Sequence, residues 1–189
     1  MKRNLILNSA VTFCNIINLI IILMFLGWTF LFVHLQIDKD YYKNKEVNLN
    51  NLGFTYSLVS KWKVNNKSLD KDVYEINKIK TTSIYILYLQ YSISLILIFL
   101  SFKEFQKVLS SVKRIQTFEI NNEISFRRIG QYTFVYFLLT SFRYISFELG
   151  GLKAITISLT PIIILLLAFI MAEIFKEGSL LKQENDLTI

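Results

Sequence analysis

The sequence predicts an all-α membrane protein, a bundle of four transmembrane helices. Three observations carry this. Apolar residues make up 53% of the chain and the mean hydropathy is +0.42, more than a soluble globular domain carries. Pro (1) and Gly (6) are scarce, which favours long uninterrupted helices over turn-rich β architecture. The apolar residues fall in blocks separated by charged stretches.

The first block, 10–33, holds no charged residue and is long enough to cross a hydrocarbon layer of about 30 Å at about 1.5 Å per residue. It is longer than the apolar core of a signal peptide and lacks a small-x-small exit, so cleavage is not expected. Further spans are predicted at 81–102, 130–149 and 154–175. Between them lie an outer loop, 34–80, of about 47 residues, an inner loop, 103–129, and a tail, 176–189. Pro161 inside the fourth span predicts a kink, read as a static bend rather than a hinge.

Four spans put both termini on one side. Lys and Arg are nearly balanced between the two sides, but Lys2 and Arg3 adjoin the first span and Arg114, Arg127 and Arg128 fall on the same side as the termini. That places both termini in the cytoplasm of a multi-pass protein of a bacterial cytoplasmic membrane. The net charge of +7 is scattered through the loops and forms no continuous basic stripe, so the bilayer, not nucleic acid, is the expected partner.

Within the outer loop, Phe54, Tyr56, Leu58, Trp62 and Val64 alternate with Thr55, Ser57, Lys61 and Lys63, a strand signal. Asn65-Asn66 before Val73, Tyr74 and Ile76 suggests a turn into a second strand, a small β element on the outer face; a loop lying on lipid headgroups is the equal alternative. In the inner loop, Phe102, Phe105, Val108, Leu109, Val112 and Ile115 recur at helical spacing, which extends the second helix beyond its span.

No enzymatic activity is expected. One histidine, one cysteine and almost no carboxylates in the spans leave nothing to converge on a metal or an acid–base site, and no cofactor is predicted. Cys14 can form no intrachain disulfide, and His34 reads as an interfacial residue at the end of the first span. The polar residues inside the spans are Asn15 and Asn18, Gln90 near Ser94, and Arg143. The amides read as helix-joining groups facing the bundle interior, with a transport path lined by them and Arg143 as the alternative. Arg143 reads as a cation snorkelling outward, paired with Glu148, or as a buried functional charge. At the inner rim, Arg127 and Arg128 open the third helix while Glu173 and Glu177 close the fourth. Antiparallel neighbours would bring these charges together, as a weak solvated pair or as a latch.

The ending Ala172-Glu173-Ile174-Phe175-Lys176-Glu177-Gly178, continued through Leu180 and an acidic run to Asp186-Leu187-Thr188-Ile189, resembles that of a bacterial membrane family catalogued as domain of unknown function 2975. Thr117-Phe118-Glu119 and Phe126-Arg127-Arg128-Ile129-Gly130 are similar to the family's stretch before its third span. The resemblance implies a four-helix membrane protein without assigned enzymatic activity, often encoded beside a small helix-turn-helix regulator. It implies a non-catalytic regulatory or sensory component that binds such a cytosolic DNA-binding protein, with Glu184 and Asp186 of the acidic tail joining Arg127, Arg128, Glu173 and Glu177 as the interaction surface. A small transporter or immunity-type protein is the alternative, and a homo-oligomer is compatible with either.

Overall fold

The computed structural model describes residues 2–43, 45, 55–63, 74–114 and 118–187. It holds four long helices, α1 (Lys2–Ile37), α2 (Thr81–Lys113), α3 (Ile120–Ser141) and α4 (Leu159–Leu187). Three strands, β1 (Thr55–Lys63), β2 (Phe142–Ser146) and β3 (Gly150–Ser158), form one antiparallel sheet in the order β1-β3-β2. The chain divides into two compact units, one of Met1–Ile22, Leu95–Tyr136 and Thr160–Ile189, the other of Leu23–Ser94 and Phe137–Leu159.

Three stretches among the described residues are long and apolar enough to cross a membrane: Leu5–Ile37, Thr81–Lys113 and Leu159–Asn185. A fourth transmembrane helix is not among them. The expected span at 130–149 is helical only as far as Ser141, after which the chain becomes β2. The early turns of α3 carry Asn121, Asn122, Glu123, Arg127 and Arg128, so its apolar part falls short of the roughly 20 residues a crossing helix needs. The expected span at 154–175 likewise starts late, because 154–158 belongs to β3.

The change from helix to strand has a local cause. From Phe142 to Ser158 the chain is rich in aromatic and β-branched residues and is broken only by Gly150-Gly151, a composition that favours a hairpin. The last carbonyls of a helix have no partner within it. The Gln90 side-chain amide of α2 supplies one, donating to the Leu139 carbonyl and, at 2.8 Å, to that of Phe142.

In the second unit, the start of α2 closes the edge of the hairpin. The Lys80 amide donates to the Ser146 carbonyl, the Glu148 amide to that of Lys78, and the Ser146 amide to the Ser83 hydroxyl, which is nearly fully buried. A strand edge that would otherwise offer free amides is thus occupied. Beneath the sheet, Tyr74, Ile79, Ile84, Ile145, Phe147 and Leu152 form a core flanked by Phe32 and Leu35.

The strand expected in the outer loop is β1, and it pairs with β3. Tyr74 is buried, and Ile76–Lys78 forms a 3-10 turn. Phe54, Val64, Asn65, Asn66 and Val73 lie outside the described residues. The alternation also faces the other way from a core strand: Tyr56 and Leu58 are exposed, while Thr55 and Ser57 are half-buried. Trp62 pairs with Gly151, where a Cβ would sit 2.0 Å from the indole, so only glycine lets the ring cover the strand.

Pro161 falls in the first turn of α4, where a helix leaves its amides unpaired anyway. It ends no hydrogen-bond ladder, and the predicted kink is replaced by a helix start. Pro161→Ala should therefore change unfolding free energy by less than about 0.5 kcal/mol. In the same denaturant titration Gln90→Leu should cost about 1–3 kcal/mol, because the two carbonyls lose their donor.

Candidate functional site

The charged residues named from the sequence gather in the first unit. Its core is Val108, Phe126, Ile129, Ala168, Ala172 and Phe175, with Phe126 and Phe175 stacked at 5.2 Å between ring centroids. Small residues bring α3 and α4 close: a Cβ on Gly130 would meet the Phe169 ring at 3.0 Å, and one on Gly178 would sit 2.1 Å from Phe118. The two stretches that carry the family resemblance thus pack against each other, with Phe118, Phe126, Ile129 and Gly130 on one side and Ala172, Phe175 and Gly178 on the other.

Over this core lies a polar network in two layers. In the buried layer, Glu104 of α2 is 6% exposed and receives three donors: Lys107 Nζ at 2.7 Å, Ser125 Oγ at 2.9 Å and Arg128 Nη1 at 3.4 Å. Beside it Asn122, 2% exposed, donates to the Ser111 hydroxyl at 3.0 Å. In the exposed layer, Arg127 is shared between Glu123 at 2.8 Å and Glu173 at 3.4 Å, and Lys176 reaches Glu173 at 2.6 Å.

Arg127 and Glu173 therefore meet, whereas Arg128 turns instead to Glu104. Glu177 is exposed and joins none of these pairs. Glu184 is exposed in the last turns of α4, and only the backbone of Asp186 is described, in the same helix. The segment expected to be a loose tail continues α4 as far as Leu187.

Glu104 and Gln106 went unnoticed in the sequence. The signal for Glu104 was present: it lies four and eight residues before Val108 and Val112, on the apolar stripe of the helix, and three before Lys107. A carboxylate in that stripe must find cations or hydroxyls. Gln106 donates to Asn15 Oδ1 at 2.6 Å and accepts from Asn18 Nδ2 at 3.4 Å, so both asparagines of α1 clasp one residue of α2. Gln90 caps α3, as described above.

Arg143 lies in β2 opposite Ala154 and forms no ion pair with Glu148, which is exposed. The reversal at 147–149 explains this: it ties Glu148 through its backbone to Lys78, while Arg143 stays on the strand. His34 is bonded to the Tyr42 hydroxyl at 3.0 Å and packs edge-on against Tyr41 and Tyr42. Cys14 is buried in α1. Among the described residues no three His, Cys, Asp or Glu side chains are grouped to hold a metal ion.

Helices of this length and apolarity, charged at the ends and joined by amide and carboxylate clasps, define a small multi-helix membrane protein. The chain belongs to the family described as a protein of unknown function, DUF2975, whose model matches residues 68–189. No curated protein and no solved structure matches it.

The two layers should respond differently to substitution. Glu104→Ala strands the Ser125 hydroxyl and the Arg128 cation, and should lower stability by about 1–3 kcal/mol in chemical unfolding. Glu173→Ala removes only exposed, solvent-screened contacts and should leave the melting temperature of the purified protein unchanged.

Proposed function

We propose that the chain is a non-catalytic regulatory or sensory component of the bacterial cytoplasmic membrane, with both termini in the cytoplasm, and that it binds a small DNA-binding regulator there. The observation that carries this reading is the end of α4. At about 1.5 Å per residue its 29 residues extend roughly 44 Å, well beyond a hydrocarbon layer of about 30 Å.

The overhanging turns expose Leu180, Leu181 and Leu187, and Leu180 and Leu187, seven residues apart, fall on one helical face. With Glu177, Glu184 and Asp186 against one Lys182, this stretch is acidic as well as partly apolar. Such a helix suits docking into an apolar groove with a basic rim. At its base, Glu173 is held by Arg127 and Lys176 in exposed bonds that a charged partner can exchange for its own.

The transport reading has less behind it. Asn15, Asn18 and Gln90 are engaged by protein groups rather than turned to a water-filled path.

Deleting 180–189 should move a co-expressed helix-turn-helix regulator from the membrane fraction to the cytosol and change transcription from its promoter. Glu184→Lys with Asp186→Lys should weaken its co-purification at least tenfold while the protein stays in the membrane. Unchanged co-purification with the shortened chain would remove α4 from the proposed contact.

A further inference from the structure

The second unit contains an open groove of about 650 Å³. Ile86, Leu89 and Ile93 of α2 and Leu138 of α3 form one wall, and Phe142 and Ile155 of the hairpin form the other. Gln90 lies in the lining, but its amide already donates to the Leu139 and Phe142 carbonyls. The floor is therefore apolar, and polar recognition falls to the remaining lining residues: Arg143, Tyr144 and Lys153.

Tyr144 and Lys153 are a direct cross-strand pair on the exposed face of the hairpin, whereas Arg143, the next residue along the edge strand, lies on the opposite face with Ile145, Leu152 and Ala154. The Lys153 amine sits 5.3 Å from the centroid of the Trp62 ring and 5.8 Å from that of Tyr144, two rings stacked at 5.8 Å. Aromatic faces hold a cation without neutralising it. Among the described residues no carboxylate pairs with Lys153 or Arg143. One cation without a carboxylate partner, Lys153, thus borders an apolar trough, in a Trp, Tyr and Lys grouping of the kind that sits at lipid headgroup level.

We infer that this groove binds an anionic phospholipid of the surrounding bilayer, with an acyl chain along Leu89, Leu138 and Ile155 and the phosphate at Lys153. A free hydrophilic anion gains nothing from the apolar walls. A zwitterionic lipid brings its own cation beside the lysine and gains less from it. An anionic amphiphile satisfies both and removes the cost of leaving a cation at an apolar surface. The site is independent of the partner contact proposed for α4, since it uses no residue beyond Ile155.

The full chain, delipidated in detergent and reconstituted in discs of equal phosphatidylglycerol and phosphatidylcholine, tests this by mass spectrometry of retained lipid. The unaltered chain should enrich phosphatidylglycerol, and Lys153→Gln should lower that enrichment about fivefold, the effect expected of one basic residue near a charged headgroup. Lys153→Arg should keep it. Leu138→Trp, which fills the trough and leaves Lys153 in place, should abolish retention. Millimolar inorganic phosphate should not displace the lipid. Equal retention of the two lipids by the unaltered chain would overturn the site whatever the variants do, as would displacement by phosphate alone, which would mark a free-anion site.

Discussion

The second unit depends on one amide. Gln90 offers its N–H groups to the carbonyls of Leu139, in the last turn of α3, and Phe142, the first residue of β2, at the point where helix gives way to strand. In a low-dielectric setting the alternative is a pair of bare carbonyls, which costs more than almost any side-chain rearrangement. Once α3 can stop at Ser141, Phe142–Ser146 is free to become a strand and fold back on Gly150–Ser158. β1 then has an edge to join. The buried Ser83 hydroxyl and the Lys78 and Lys80 backbone complete the arrangement by covering the opposite edge. Each of these groups answers the same requirement, that no backbone donor or acceptor be left dry and unpaired.

In the first unit, the same requirement is met by side chains. Glu104 would be untenable in the apolar stripe of α2 without Lys107, Ser125 and Arg128 around it. The buried Asn18 and the exposed Asn15 both share bonds with the half-buried Gln106, joining α1 to α2. The family-like stretches, in turn, pack α3 against α4. Ala168, Ala172, Gly130 and Gly178 remove side-chain bulk where Phe118, Phe126, Phe169 and Phe175 pack. The stretches that mark the family are, in this chain, a packing surface, with the exposed Arg127, Glu173 and Lys176 along its rim.

Polar and charged residues therefore serve two separate ends. Those facing protein, such as Gln90, Asn122 and Glu104, have their bonding capacity used by neighbours and hold the helices in register. Those left at surfaces, such as Glu177 and Lys153, are exposed at the edge of the protein. The first group stabilises; the second is where recognition can occur.

From the sequence alone came three of the long helices, since an uncharged apolar run of sufficient length leaves the backbone few options other than a helix in lipid. β1 was legible from its period-two alternation, and the meeting of Arg127 with Glu173 from the antiparallel order of the helices that carry them. The hairpin was not, because the apolar residues of Phe142–Ser158 follow no strict period-two alternation and such a run reads equally well as a helix. Where the sheet pairs, where α3 stops and which acid receives Arg128 were decided by tertiary structure. All three turn on partners distant in the chain, Gln90, β1 and Glu104, and local periodicity holds no information about contacts made across so many residues.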